Sequence, residues 1–157
     1  VDTHHALPTV TAGEDELAID LEPFITLNKA AMGMTTHIVF EAWDRELPAT
    51  LSPVIVDKII RGRIGFDGFL MTDDIDMKAL SGTPADKAAA SIAAGCDCVL
   101  DCWARMDEMV AIAGRLDEIG VDARRRLDTA LASVAGRSSS VDFADLIAKR
   151  DALLVLA

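Results

Sequence analysis

The stretch Gly65-Phe66-Asp67-Gly68-Phe69-Leu70-Met71-Thr72-Asp73-Asp74 decides the fold class of this chain. Its apolar run, Phe69-Leu70-Met71, is bounded by glycine on one side and by polar residues on the other, which is typical of a buried strand. The run ends abruptly in two carboxylates. In parallel α/β folds the functional side chains collect at the carboxyl ends of the strands. We therefore expect Asp73 and Asp74 to lie at such an end.

Strands and helices alternate along the rest of the chain. Short apolar strands at 31–35, 69–71 and 98–100, separated by helices, indicate a parallel sheet covered by helices. A (β/α)8 barrel needs roughly 250 residues, whereas this chain has 157. The fold prediction is an α/β domain, either a small open sheet or the C-terminal part of a TIM-type barrel, with about three legible parallel strands and covering helices.

Capping residues, prolines and glycines mark the predicted helices. Before the first of them, residues 1–10 are read as a polar loop. The first predicted helix has the capping-box spacing of Thr11 and Glu14 and a kink at Pro23. The second extends from Ser52-Pro53 to Gly65 and the third from Thr83-Pro84 to Gly95. Three more helices are predicted at Met106–Ile119, Asp122–Ala135 and Asp142–Val155, the last after a linker at Gly136–Ser140.

Composition narrows the function classes. The chain is 51% hydrophobic and carries a formal net charge of −11, which argues against nucleic acid because such partners select clustered Lys and Arg. The basic run Arg124-Arg125-Arg126 stands among acidic residues and indicates a solvated helix face. No apolar run approaches the ~20 residues that span a bilayer, so we expect no membrane partner.

Three cysteines, Cys96, Cys98 and Cys102, lie in one short stretch. A secreted disulfide framework has an even number of cysteines spread along the chain, so we expect a reducing, cytoplasmic location. The C-x-C-x3-C spacing could hold a metal, but no fourth ligand with zinc-like spacing lies nearby. Small buried thiols around a strand are the favoured interpretation, and we predict no metal and no cofactor.

Three polar strand ends are candidates for chemistry: His37, the pair Asp73-Asp74 with Asp76 behind it, and Asp101. A carboxylate directly after a buried strand is positioned by the backbone and partly desolvated, as a nucleophile or metal ligand must be. The alternative is that it caps the next turn. His37 could contact a ligand or simply hydrogen-bond within the rim.

The triplet Asp2-Thr3-His4 is a further candidate. A carboxylate two residues from an imidazole can hold its tautomer and raise its basicity. On spacing alone, a solvent-exposed loop is the favoured interpretation for this triplet and for the neighbouring His5.

Six motifs follow one another between Asp2 and Asp101. They are Asp2-Thr3-His4-His5-Ala6-Leu7-Pro8, Met34-Thr35-Thr36-His37, Pro48-Ala49-Thr50-Leu51-Ser52-Pro53, Gly65-Phe66-Asp67-Gly68, Thr72-Asp73-Asp74-Ile75-Asp76-Met77-Lys78 and Ala94-Gly95-Cys96-Asp97. The ordered set resembles bacterial β-N-acetylhexosaminidases of glycoside hydrolase family 3, of the cytoplasmic peptidoglycan-recycling type.

The resemblance implies a retaining glycosidase. The family's nucleophile is the acid after Ser or Thr at the strand end, here Asp73, which would form a covalent glycosyl-enzyme. The family's acid/base is a histidine oriented by an aspartate in an Asp-Ser-His triplet; these roles fall on His4 and Asp2, with Thr3 replacing Ser. Asp74 is expected to support the loop. The implied substrate is a terminal β-linked N-acetylglucosamine on the 1,6-anhydro-N-acetylmuramic acid of muropeptides.

One family segment has no counterpart here. Relatives carry Lys-His-Phe-Pro-Gly-His-Gly just before the triplet, and its Lys and His bind the sugar. We therefore expect residues 1–136 to be a partial TIM-barrel catalytic domain that lacks its amino-terminal half, and 137–157 to be a linker and a C-terminal helix. The main sugar contacts are expected upstream of residue 1, and the isolated chain is expected to be weakly active or inactive.

Two other functions stay open at this point. Asp74-Ile75-Asp76 after a strand looks like the acidic motif of Mg²⁺-dependent phosphotransferases, although Lys78 stands where that motif has a small β-branched residue. The third possibility is a non-catalytic half-barrel that associates with another copy as a homo-oligomer through an open sheet edge.

Overall fold

The structure is a computed structural model that describes residues 2, 5–136 and 142–155. Helices and parallel strands alternate through most of this part. In chain order the elements are β1 (Thr9–Val10), α1 (Glu14–Thr26), β2 (Met32–Met34), β3 (Val39–Phe40), a 3-10 turn (Ala49–Leu51), a π-helix (Ile55–Arg63), β4 (Phe69–Asp74), α2 (Pro84–Ala94), β5 (Cys98–Leu100), α3 (Met106–Arg115), α4 (Val121–Val134) and α5 (Phe143–Leu154).

The main sheet is parallel and has three strands in the spatial order β2-β4-β5. Met34 of β2 pairs with Met71 of β4, which pairs with Cys98 of β5. The predicted α/β fold with three parallel strands is confirmed. Strand β4 runs three residues beyond its apolar core, so Asp73 and Asp74 both belong to the strand.

A second, two-stranded parallel sheet joins β1 to β3, with Thr9 opposite Val39. The prediction of a polar loop over residues 1–10 is therefore wrong at Thr9 and Val10. Two-residue strands leave no period-two pattern in the sequence, because such a pattern needs at least four residues to appear. Their pairing is extended by Glu41 N–H, which donates to the carbonyl of Val10 at 3.0 Å.

Helices cover one face of the main sheet. Leu70 of β4 is 2% exposed and packs with Val56 of the π-helix and Ala94 of α2. Side chains alternate across a regular strand, so Met71 lies on the opposite face from Leu70. Between Met71 and Asp74 the pairing of β4 with β5 shifts register, so Asp73 lies in an irregular stretch of the strand.

The edge strand β2 is open to solvent. Met32 and Met34 are 47% and 53% exposed, and within the described ranges β2 pairs only with β4. A groove of about 350 Å³ is lined by β2, α1 and the π-helix. Phe24 and Leu27, at the C-terminal end of α1, are also largely exposed. Parallel sheets are normally covered on both faces. The exposed methionines of β2 show that the sheet is not covered in this way at β2.

Helix α1 differs from its prediction at its start and continues through Pro23. Its N-cap is Gly13, whose N–H donates to the carboxylate of Glu16 at 3.1 Å, so the predicted box of Thr11 and Glu14 is wrong by two residues. Pro23 lies inside a helix that continues to Thr26. Proline removes the hydrogen bond to the carbonyl four residues earlier. That carbonyl belongs to Ile19, which is 68% exposed and is open to water.

The starts and ends of the next two helices are confirmed. Ser52 Oγ accepts a hydrogen bond from Ile55 N–H at 3.1 Å, and Thr83 Oγ1 caps α2. Gly65 and Gly95 follow these helices with φ of +73° and +110°, in the left-handed region that favours glycine. The first of the two helices is a π-helix rather than an α-helix.

The C-terminal helices agree with their predictions except in length. Helix α3 ends at Arg115 instead of Ile119, while α4 and α5 begin and end within one residue of the predicted bounds. The predicted linker falls largely on residues 137–141, which lie outside the described residues. In the part that the structure describes, no helix is long and apolar enough to cross a membrane.

Candidate active site

Asp73, the predicted nucleophile, is the fifth residue of β4 and is half-buried. Its Oδ1 accepts a hydrogen bond from the N–H of Asp74 at 2.8 Å. No described residue gives its Oδ2 a hydrogen bond. A carboxylate held in this way at the carboxyl end of a parallel strand is suited to nucleophilic attack.

Asp74 holds the turn that follows. Its Oδ1 accepts hydrogen bonds from the N–H groups of Asp76 at 3.2 Å and Cys102 at 3.1 Å. The N–H of Ile75 donates to the carbonyl of Leu100 at 3.0 Å. These bonds join the end of β4 to the end of β5, so the expected loop-supporting role of Asp74 agrees with the structure.

His37 follows β2 and is fully buried, with 0% exposure. Its Nδ1 lies 2.8 Å from Thr50 Oγ1, and its Nε2 lies 2.9 Å from the carbonyl oxygen of Asp74. Of the two interpretations of His37, hydrogen bonding within the rim is therefore the correct one. Both ring nitrogens are engaged by protein atoms and have no hydrogen bond left for a ligand.

The other two acidic positions are engaged by the protein. Asp76 pairs with Arg105 at 3.1 Å near the surface. Asp101 Oδ1 accepts from Ala104 N–H at 3.3 Å, and its Oδ2 is buried without a partner in the described part. Because Asp74 and Asp76 are occupied by backbone N–H groups and an arginine, their geometry favours loop support over the binding of Mg²⁺.

The predicted acid/base pair is only partly visible. His4 and Thr3 lie outside the described residues. Asp2 is exposed, and its carbonyl accepts hydrogen bonds from the N–H groups of His5 at 3.0 Å and Ala6 at 3.2 Å, which form a turn. The assignment of His4 and Asp2 stays a prediction.

Sequence reasoning missed an ionic network at the opposite ends of the strands. The side chain of Asp97, directly before β5, is 4% exposed. Its Oδ2 accepts from Arg61 at 2.8 Å and from the N–H of Leu70 at 2.9 Å, and its Oδ1 accepts from Arg126 at 2.9 Å. One buried carboxylate therefore connects the π-helix, β4 and α4.

Arg125 and Arg126 also bind Asp67, at 2.8 Å and 2.9 Å. Hydrogen bonds from Arg125 and then Arg126 hold the pKa of Asp67 well below its usual range. The prediction of a solvated face for the run from Arg124 holds at Arg124 and Arg125, which are exposed, and is wrong at Arg126, whose side chain is 16% exposed and bonds the buried Asp97. The available signal was the placement of Asp67 and Asp97 just before two successive strands.

The cysteines agree in part with the favoured interpretation. Cys96 is buried, and burial raises the pKa of its thiol to about 12. Cys98 is half-buried, whereas Cys102 is exposed. Across the described ranges, no three or more His, Cys, Asp or Glu side chains are grouped to hold a metal ion.

Sequence comparison gives the same family as the motifs. The family model for the glycosyl hydrolase family 3 N terminal domain matches residues 1–136. A β-hexosaminidase of Chromobacterium violaceum is 38% identical over 158 residues, covering 96% of this chain and 42% of that protein. A β-hexosaminidase of Neisseria gonorrhoeae is 37% identical over 106 residues, covering 64% of this chain and 29% of that protein. The chain thus spans less than half of these relatives.

Solved structures extend the comparison to the fold. A family 3 β-N-acetylglucosaminidase from Paenibacillus superposes with a TM-score of 0.71 at 28% identity, over 91% of this chain and 31% of that chain. Native NagZ from Neisseria gonorrhoeae gives 0.68 at 29% identity, over 85% and 42%. Such domains are TIM-barrel-like, and three parallel strands with covering helices fit part of one. The chain belongs to glycoside hydrolase family 3, and its sheet is a portion of that family's barrel.

Proposed function

We propose that this chain is the nucleophile-bearing part of a retaining β-N-acetylhexosaminidase. The observation that carries the proposal is Asp73, a half-buried carboxylate at the carboxyl end of a strand in a family 3 barrel, with one oxygen held and the other given no hydrogen bond by the described residues. The proposed substrates are N-acetylglucosaminyl-anhydromuramyl peptides, and the proposed setting is the cytoplasmic recycling of peptidoglycan. Both come from the motif resemblance.

The proposed reaction has two displacements. Asp73 attacks the anomeric carbon while His4 protonates the glycosidic oxygen, so the aglycone leaves and a glycosyl-aspartate ester forms. His4 then removes a proton from water, which attacks the same carbon and releases N-acetylglucosamine and the free Asp73 carboxylate. Two inversions give net retention. Asp2 stabilises the imidazolium that His4 becomes after accepting the proton.

The proposed enzyme needs more protein than this chain supplies. The chain covers 42% of the Chromobacterium relative, and its β2 edge exposes Met32 and Met34. We propose that the β2 edge packs against the part of the barrel that precedes it in family members, which also brings the main sugar contacts. A second copy of this chain is the competing occupant of the same edge, as a homo-oligomer.

Hydrolysis of an aryl β-N-acetylglucosaminide without added metal tests the proposal. The chain is assayed alone and mixed with the upstream half of the Chromobacterium β-hexosaminidase, as wild type, Asp73→Asn and Asp76→Asn. We expect little turnover from the chain alone and clear turnover from the mixture. Asp73→Asn should lower kcat by about three orders of magnitude, as loss of a nucleophile does, and Asp76→Asn should stay within a few-fold of wild type.

Each other outcome has a definite meaning. Equal turnover by wild type and Asp73→Asn would exclude Asp73 as the nucleophile. A requirement for Mg²⁺ together with loss of activity in Asp76→Asn would favour the phosphotransferase alternative. A silent mixture whose measured mass shows the assembled pair would contradict the glycosidase proposal itself.

A further inference from the structure

Two consecutive carbonyls directly after Asp73 are held by buried side chains from other elements. The carbonyl of Asp74 lies 2.9 Å from His37 Nε2, and the carbonyl of Ile75 accepts from Lys87 Nζ of α2 at 2.9 Å. His37 is 0% exposed and Lys87 is 7% exposed. Burying an imidazole or an ammonium group costs free energy unless the group is hydrogen-bonded. Two such groups bind consecutive carbonyls here, which indicates that the position of this turn is important.

The hydrogen bonds around His37 have a direction. A carbonyl oxygen can only accept, so Nε2 carries the hydrogen that goes to Asp74. In a neutral ring Nδ1 then needs the hydroxyl of Thr50, at 2.8 Å, as its donor, and Thr50 Oγ1 accepts from the hydroxyl of Thr35 at 2.9 Å. The single hydrogen of Thr50 has a second acceptor in the carbonyl of Thr36 at 3.0 Å, so His37 Nδ1 and Thr36 compete for it.

Thr35, Thr50 and His37 therefore form a relay that ends on Asp74. The three side chains are 6%, 0% and 0% exposed. Each bond in such a chain polarises the next, and low dielectric surroundings strengthen all of them. Thr50 belongs to the 3-10 turn, Thr35 directly follows β2, and Asp74 ends β4, so the relay joins three separate segments of the chain.

The hydrogen bonds of Asp74 connect His37 to the carboxylate of Asp73. The residue is held at its carbonyl by His37, and its own N–H donates to Asp73 Oδ1 at 2.8 Å. If the carbonyl were released, the Asp74 backbone could turn and its N–H would no longer point at the carboxylate. The Asp73 oxygen that is not engaged would then lose its fixed direction.

We propose that His37, oriented by Thr50 and Thr35, is a positioning residue for the Asp73 nucleophile. This inference rests on the proposed function, because it assigns a catalytic consequence to the direction of Asp73. The effect is transmitted through the Asp74 backbone, and His37 itself touches no substrate. Lys87 holds the adjacent carbonyl and supports the same turn.

The first test needs no turnover and uses the chain as it exists. Nitrogen-15 NMR of the His37 ring reports which nitrogen is protonated, and hydrogen exchange reports how firmly the Asp74 amide is held. We compare wild type with Thr50→Val, which deletes the hydroxyl at nearly constant shape, and with Thr50→Ser, which restores it. Thr129→Val is the matched control, because that exposed hydroxyl bonds only to its own helix, at Arg125.

In the wild type we expect a protonated Nε2 and an unprotonated Nδ1. Thr50→Val should raise the exchange rate of the Asp74 amide about five- to tenfold, which is the value of one hydrogen bond, while Thr50→Ser and Thr129→Val stay at the wild-type rate. A protonated Nδ1 in the wild type, or unchanged exchange in a folded Thr50→Val, would overturn the relay. If Thr50→Val does not fold, Thr35→Val removes the outer donor and carries the same comparison.

The second test is kinetic and uses the chain mixed with the upstream half. Thr50→Val should lower kcat about tenfold with KM unchanged, and Thr50→Ser should recover most of the loss. Equal kcat in wild type and Thr50→Val would overturn the positioning role. If the mixture has no activity while the NMR result holds, the proposed function fails and the positioning role fails with it, whereas the relay itself stands as a structural feature.

Discussion

Asp73 and Asp74 show how one side-chain type serves two tasks in adjacent positions. Asp73 accepts one hydrogen bond from the described residues, at Oδ1, whereas Asp74 uses one oxygen to accept from two backbone N–H groups. The two carboxylates therefore meet different environments although they are adjacent. Asp74 holds the turn, and Asp73 keeps an oxygen that no described residue engages with a hydrogen bond.

The hydrogen bonds of Asp74 predict different changes in stability for two substitutions at this position. Asparagine at Asp74 keeps an oxygen for the N–H groups of Asp76 and Cys102, so Asp74→Asn should leave the melting temperature nearly unchanged. Asp74→Ala leaves both donors without that acceptor and should lower the free energy of unfolding by about 1–3 kcal/mol. Thermal unfolding checks this pair of variants. Equal losses in Asp74→Asn and Asp74→Ala would show that charge, not acceptance, is what matters at this position.

Gly68 has space for no side chain. A Cβ there would lie 2.5 Å from the carbonyl oxygen of Ala30 and 2.5 Å from Phe66 Cζ. Because one of these contacts is backbone, Gly68→Ala should lower the free energy of unfolding by about 1–3 kcal/mol. The control is Gly114→Ala in α3, where a Cβ meets nothing within 4 Å, and it should stabilise by about 0.5–1 kcal/mol. Urea unfolding of both variants gives the comparison; two shifts of the same sign would contradict it.

At the residue scale the sequence was informative about chemistry and silent about long-range contacts. Asp73 and Asp74 could be placed at a strand end because an apolar run stops at them. The role of His37 could not be predicted, because its partner Asp74 lies 37 positions away. No local pattern reports a bond between a side chain and a distant carbonyl.

At the scale of elements, helix α4 is fixed to the sheet by charge. Arg126 of α4 and Arg61 of the π-helix share the buried carboxylate of Asp97. Among the residues of α4, Ala130 is buried, so apolar contact contributes less to its docking than in α2. The position of α4 therefore depends on an ionic network whose members lie far apart in the sequence.

Breaking that network should be costly. Asp97→Asn leaves two arginines near a neutral amide in a buried site, and we expect a loss of about 3–5 kcal/mol in the free energy of unfolding. Asp128→Asn is the matched control, because Asp128 forms an exposed pair with Arg124 at 3.5 Å and should cost less than about 1 kcal/mol. Chemical denaturation measures both. A small loss in Asp97→Asn would mean that α4 is held by other contacts.

Low pH should weaken the ion pairs that α4 forms with Asp67. The pKa of Asp67 is lowered in the folded chain, first by its hydrogen bond with Arg125, so the folded state binds fewer protons there than the unfolded state. This contribution to stability is fully present above the unfolded pKa of about 4 and is lost as pH falls below it. Asp67→Asn should flatten the fall in stability below pH ~4, whereas Asp20→Asn, an exposed change in α1, should not. Stability curves at several pH values decide between them.

The elements themselves were predicted where their signals are local. Caps at Ser52 and Thr83 and glycines at the helix ends gave the correct bounds, because these residues act on the turn beside them. Strands β1 and β3 were missed, since two-residue strands exist through pairing with each other. The docking of α4 was missed for a related reason. The sequence around Arg126 predicts a surface residue, and its partner Asp97 lies 29 positions away.

At the scale of the whole molecule, the main sheet ends at the apolar strand β2, whose outer edge has no strand partner in the described part of the chain. Met32 and Met34 of β2 are about half exposed, whereas the buried face of β4 is closed by helices. Chain length and strand count predicted either a small open sheet or part of a barrel, and the motif resemblance selected the partial barrel. The position of the open edge could not be predicted, because it depends on which strand pairs with which.

Methionine oxidation tests the covering of this edge. Dilute peroxide should oxidise Met32, Met34 and Met106 in the isolated chain and spare Met77, which is 7% exposed. Adding the upstream half should protect Met32 and Met34 by at least about fivefold, while Met106, 72% exposed, stays reactive. Mass spectrometry reads each site. Protection in the chain alone, with a doubled mass in solution, would instead identify a second copy as the occupant.

The open β2 edge also bears on how much of this chain a cell can keep. Chaperones and proteases act on chains that leave strand edges and apolar side chains uncovered. We expect chaperones and proteases to act less on copies whose Met32 and Met34 are buried against another surface than on copies whose β2 edge is open. We therefore expect the steady-state amount of the chain to rise with the supply of the surface that covers β2.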